Sequence, residues 1–253
     1  MKPLRTTIGI ALLSLCSVSL AHAVGVRAEH VTGGVLDLVW DPGFGLSNTM
    51  QAATLAPSDP GYANPSGDHT VAKAVTSFAP DSGGIILTAT DPGGVDDYVW
   101  EGWFFTGGGN SRRGLVVRAD PSNGFQTHYQ LTIRSGLVTI DFRKFVGGGP
   151  VATLGSWLTP SLPGGVPAAN TWHTFKISAS GNQFHCYYDG VDLNGGSAIV
   201  DASSPILSGW VGCYNFNASQ GFIPALFDDL IMTPAAFTAT RGMTWGQLKA
   251  GYR

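Results

Sequence analysis

The 253-residue sequence predicts an all-β protein of antiparallel strands. Three observations lead there. Segments of roughly five to eight residues alternate apolar and polar side chains, the period of a strand with one face buried. Gly, Pro, Asn and Asp separate these segments, and the 35 Gly and 15 Pro act as turn punctuation between aromatic and β-branched runs, without low-complexity sequence. No helical period is needed before the final residues.

Residues 1–23 read as a secretory signal peptide: Lys2 and Arg5 form a basic start, Ile8 to Leu20 is apolar or small, and Ala21-His22-Ala23 suits cleavage. The apolar run is short of the roughly 20 residues that span a bilayer, and no later stretch is apolar enough to do so. The expected product is secreted, extracellular or periplasmic, and begins near Val24. Losing Lys2 and Arg5 makes the formal charge of −3 more negative by two, and no basic run remains. That argues against nucleic acid or an anionic membrane as partner, since both recruit clustered cations. The remaining chain, about 230 residues, suits one β domain with one sizeable core.

Between residues 24 and 70, Val35 to Asp41 is a predicted strand, followed by Gly-, Ser- and Pro-rich sequence from Pro42 to Asp68 that reads as long loops. From residue 71 to 234 strands come quickly. They are predicted at His69 to Ser77, Gly84 to Ala89, Tyr98 to Thr106, Gly114 to Ala119, Thr127 to Arg134, Leu137 to Lys144 and Pro150 to Gly155. Ser135-Gly136 suits a tight hairpin. Three more strands follow within Thr171 to Gly190, Gly209 to Asn217 and Ala225 to Met232. In residues 235–253, Thr244 and Gln247 fit the start of a short helix carrying Trp245, Leu248 and Tyr252 on one side. That side either docks on the domain or engages a cell-surface protein partner.

With Cys16 removed, Cys186 and Cys213 remain, and in an oxidising compartment an even pair predicts a disulfide; two buried free thiols are the alternative.

Alternation also sorts the strand faces. Tyr98, Trp100, Phe104, Leu115, Val117, Tyr129, Leu131, Ile133, Val138, Ile140 and Phe142 form the expected apolar set. The opposite positions carry Glu101, Trp103, Arg118, His128, Gln130, Asp141, Arg143, Lys176, His185 and Tyr187. Trp and Tyr rings offer platforms for sugar faces, and the polar groups offer directional hydrogen bonds, so this set is the candidate ligand-binding site. An ordinary solvated face with Arg and Asp paired across strands is the alternative.

The order of motifs near the C-terminus carries a resemblance. A strand opening on Trp172, a Ser180-Gly181-Asn182 turn, Tyr188-Asp189-Gly190, the glycines of Gly209 to Gly212, and Phe227-Asp228-Asp229 resemble the second half of concanavalin A-like lectin and glucanase domains, including laminin G-like ones. The resemblance implies a two-sheet antiparallel jelly-roll sandwich from Val71 to Pro234, long N-terminal loops, and a concave polar face bearing a ligand groove. It also allows calcium at loop ends, for which Asp189, Asp192, Asp228 and Asp229 are the candidate ligands; the alternative, favoured here, is that these carboxylates bond turn backbone amides.

Glu101 and His128 are the candidate catalytic residues. The Glu-x-Asp-x-x-Glu signature of the retaining glucanases is absent, and the nearest acidic stretch, Asp96 to Glu101, has another order. His128, Tyr129, Arg118 and Gln130 are the types a lyase needs, but Gln126-Thr127-His128 only loosely resembles the alginate lyase motif. The Arg-Gly-x-x-x-Arg run from Arg113 to Arg118 is similar to that of keto-disaccharide hydrolases, which places hydrolase above lyase. The reading favoured overall is a secreted, lectin-like sandwich that binds an extracellular polysaccharide or glycan. The alternatives are a polysaccharide-active enzyme on the same face and a structural or adhesive surface protein.

Overall fold

The computed structural model describes residues 27–42, 49–75, 84–107, 111–134, 136–217 and 225–235. The expected signal peptide and C-terminal helix lie outside the described residues, as does Ser135.

The N-terminal strands are β1 (Arg27–Glu29), β2 (Val31–Thr32), β3 (Val35–Leu36), β4 (Asp41–Pro42), β5 (Thr49–Thr54) and β6 (Thr70–Val75). Next come β7 (Gly84–Thr90), β8 (Tyr98–Phe105), β9 (Ser111–Ala119), β10 (His128–Ile133), β11 (Thr139–Val146) and β12 (Gly149–Leu158). The last six are β13 (Trp172–Ser180), β14 (Gln183–Tyr188), β15 (Val191–Asp192), β16 (Ile199–Val200), β17 (Trp210–Asn217) and β18 (Ala225–Pro234).

Apart from β2 and β3, which pair with each other, these strands form an antiparallel two-sheet sandwich. The first sheet runs β15-β14-β13-β8-β18-β6-β5, with β1 also on β18 and β16 also on β14; the second runs β12-β11-β10-β9-β17-β7-β4. The chain crosses between layers at β4 to β5, β6 to β7, β7 to β8, β8 to β9, β12 to β13, β16 to β17 and β17 to β18, so residues far apart in sequence become neighbours. Inward residues of both sheets make one core that includes Trp100, Phe104, Tyr129, Phe142, Phe175, Phe184 and Phe227. Each large apolar side chain buried there contributes about 1.5 to 3 kcal/mol. The Trp100 indole N–H crosses the core to the Gly212 carbonyl at 2.9 Å, satisfying its polar atom.

Four sequence expectations change. Val35 to Asp41 is not one strand: Glu29 accepts hydrogen bonds from the N–H groups of Asp37 (2.9 Å) and Leu38 (3.0 Å) and the Trp40 indole (2.6 Å), which bends the segment between β3 and β4. Within the expected loop region, residues 49–54 form β5 on the edge beside β6. The tight hairpin is longer than its sequence implies. Arg134 and Thr139 close the ladder, and Leu137, at φ 60°, takes the core position while Val138 turns out to 44% exposure.

The fourth change concerns the cysteines. Cys186 on β14 and Cys213 on β17 are free and buried. Both point into the core from different sheets, Cys186 opposite Ile177 on β13 and Cys213 between Leu115 on β9 and Thr88 on β7, and no bond joins them. Burial pushes both thiols well above their ordinary pKa, which keeps them inert.

Candidate ligand cleft

The polar residues expected on one face occupy three places. Glu101 and Trp103 on β8, Lys176 on β13, and His185 and Tyr187 on β14 share the outer face of the first sheet, because β14, β13 and β8 are neighbours. His128 and Gln130 on β10 and Asp141 and Arg143 on β11 share the outer face of the second sheet, on the other side of the molecule. Arg118 belongs to neither.

Arg118 turns inward through a β-bulge. The β17–β9 register slips between Trp210 and Gly212, and Arg118 sits opposite the slip with φ 54°, so Val117 and Arg118 both face the interior. Its guanidinium is 0% exposed and donates to the carbonyls of Gly181 and Ile206, the latter at 2.7 Å, while lying 5.2 Å over the Phe184 ring. It locks one end of the sandwich and touches no open surface, which removes it from the ligand set. Nearby, Lys144 reaches Asp201 at 2.8 Å and Tyr129 donates to the same carboxylate at 2.6 Å, holding the segment before β17 over that end.

The second sheet's polar face is occupied with itself. Asp141 accepts from Arg143 at 2.8 Å and Ser156 at 2.7 Å, and pairs with Arg134. His128, only 3% exposed, stacks on Phe145 at 4.8 Å. Its Nδ1 donates to the Phe125 carbonyl at 2.9 Å, and Nε2 lies 3.2 Å from the Gln130 side chain. Burial lowers its pKa and favours the neutral ring. His128 is a core-like histidine, too enclosed to meet a polymeric substrate, so its candidacy as a catalytic residue falls.

The first sheet's outer face holds a cleft of about 390 Å³. Glu101, Trp103, Lys176 and Tyr187 line it, joined by Thr174, Gly190, Asp229 and Ile231. A second bulge shapes it. Asp228 pairs with Trp103 and Ile231 with Glu101, so Asp229 and Leu230 are extra residues opposite Gly102. Leu230 drops into the core over Gly102, where an added Cβ would lie 2.6 Å from its Cδ2. Asp229, at φ 46°, is thereby aimed outward and reaches His30 at 3.3 Å.

Charge is distributed unusually in this cleft. Lys176 and Glu101 are register partners across β13 and β8, yet they form no ion pair. The Lys176 ammonium sits 4.2 Å over the Tyr187 ring. Among the described residues the Glu101 carboxylate has no hydrogen-bond or ionic partner. Behind Tyr187, Asp192 faces His185 at 3.4 Å; beside Gly190, Asp189 faces His173 at 2.7 Å. His185 therefore flanks the cleft without lining it.

The four aspartates expected at calcium do not converge. Asp189 accepts from the Thr174 amide and is held below the usual carboxylate range by His173 and that amide, despite burial acting the other way. Asp192 accepts from the Asn194 amide, and Asp229 faces the cleft. Asp228 alone joins an oxygen-rich cluster. The Asn64 side-chain nitrogen lies 2.7 Å from Ser66 Oγ, 3.2 Å from Asp68 Oδ1, 2.8 Å from the Thr70 carbonyl and 3.0 Å from Asp228 Oδ2. The Asn64 amide fills the point where these four oxygens converge, and the two carboxylates accept further bonds from the Ser66, Thr70 and Asp229 amides, so the cluster is closed on itself. Among the described residues no three His, Cys, Asp or Glu side chains gather as a metal set.

Sequence reasoning missed Thr174 and Asp229 as cleft residues. Thr174 shares the parity of Lys176 and was legible by extending the alternation; Asp229 depended on the bulge.

No protein-family model and no curated protein sequence matches the chain. Among solved structures it is similar to the carbohydrate-binding module CBM66 from Bacillus subtilis, at 16% identity and TM-score 0.47, covering 74% of this chain and 95% of that one. It is also similar to a protein of unknown function with a galectin-like fold from Bacillus subtilis, at 13% identity and TM-score 0.49, covering 78% and 98%. A third is a β-1,3-1,4-glucanase (lichenase) derived from a mouse hindgut metagenome, at 9% identity and TM-score 0.49, covering 83% and 99%.

Proposed function

We propose that the protein binds carbohydrate in the cleft on the outer face of the first sheet. The observation that carries this reading is the unpaired Glu101 carboxylate, set beside Trp103 and across from Tyr187 in a half-open cleft. An unengaged carboxylate accepts hydroxyl hydrogen bonds, and neighbouring rings cover the apolar face of a sugar. The second sheet's carboxylate, Asp141, is already saturated by its neighbours. Residues 1–23 support secretion, which would bring the cleft to extracellular glycans. Among the described residues no helix is long and apolar enough to cross a membrane.

The second reading is glycoside hydrolysis, favoured by one observation: Glu101 and Asp229 line the same cleft, and that chemistry uses two carboxyl groups. A glycan array combined with a polysaccharide digestion panel separates the two. Binding without new reducing ends is the expected result. Turnover abolished by Glu101→Gln would establish the enzyme, and neither glycan binding nor turnover would leave the adhesive reading.

A further inference from the structure

Resting on the carbohydrate reading, we infer that the preferred ligand is an amino sugar carrying a free ammonium group. The cleft's charges are the basis. Two carboxylates line it, Glu101 from β8 and Asp229 from the β18 bulge, against one permanent cation, Lys176. That cation is turned toward the Tyr187 ring, which leaves Glu101 without an ion pair although its register partner is a lysine. His30 offsets Asp229 only when protonated.

A half-buried carboxylate without a partner is where a ligand cation gains most, since charge-assisted hydrogen bonds are the stronger kind and the group has no internal bond to give up. Trp103 stands on the same strand face two residues away, and an indole ring attracts an ammonium as well as a sugar face. The Lys176 contact with Tyr187 is the same chemistry made internally. Sugars bearing carboxylates meet the opposite field, two like charges against a single lysine already engaged.

The test is calorimetry with glucosamine tetramers, their N-acetylated counterparts and galacturonate tetramers, in low and in high salt. The glucosamine oligomer is expected to bind about tenfold more tightly than the acetylated one, a difference near 1.4 kcal/mol. Salt should narrow that gap, and Glu101→Gln should abolish it while retaining the native circular dichroism spectrum. Equal affinities, a galacturonate preference, or a preference that survives Glu101→Gln would overturn the inference and leave carbohydrate binding standing. No binding of any of the three oligomers, with no hit on a wider array, would overturn the carbohydrate reading itself.

Discussion

Arg118 donates a hydrogen bond to the Ile206 carbonyl at 2.7 Å from inside the sandwich, tying a β9 bulge to the segment that leads into β17. The same guanidinium satisfies Gly181 at the β13–β14 turn, so one side chain holds two loops and both sheets.

Removing it should therefore cost stability and leave ligand chemistry alone. Arg118→Met strands two buried carbonyls, each worth about 1 to 3 kcal/mol when unsatisfied. Tm is expected to fall by about 5 to 15 °C, with unchanged affinity for any glycan in the fraction that remains folded. A variant with wild-type Tm would refute the lock.

His128 makes stability depend on pH in a defined direction. Its folded pKa lies below the ordinary value of 6.5 because burial disfavours the imidazolium. The unfolded chain then binds more protons as pH drops through about 6.5, so stability is full above that value and falls until the folded pKa is reached. Urea midpoints between pH 7.5 and 5 should decline more steeply in wild type than in His128→Gln. Parallel declines would mean the ring protonates freely in the native state.

Gly102 is predicted to be the glycine on which the cleft depends. An alanine there meets Leu230 Cδ2 at 2.6 Å and Leu230 Cα at 3.0 Å, so the β18 bulge must shift. Gly102→Ala should destabilise by about 1 to 3 kcal/mol and weaken ligand binding, because Asp229 moves with the bulge. Loss of stability with unchanged affinity would separate the bulge from the site.

The cysteines should behave as two inert thiols. Native protein is expected to react with a thiol reagent at Cys186 and Cys213 only after unfolding, and its mass at those positions should not change on reduction. A two-proton mass gain on reduction would restore the disulfide.

The sequence by itself determined the strands, their turns and most inward residues. A two-residue period is a local property, and Trp100, Tyr129 or Phe142 can be placed on the buried side from near neighbours alone. It also singled out Glu101, Trp103, Lys176 and Tyr187 as outward-facing. Alternation says only that a side chain is on one side or the other of its own strand. Which sheet a strand joins is set by long-range pairing, so Gln130 and Glu101, alike in pattern, ended on opposite faces of the molecule. The two bulges were equally out of reach, because an extra residue reverses parity, and it did so for Arg118 and Asp229. Tertiary structure decided which polar groups were spent. Asp141 found two arginines and a serine, while Glu101 faced a lysine held by a tyrosine ring, and only packing in three dimensions could leave that one carboxylate free.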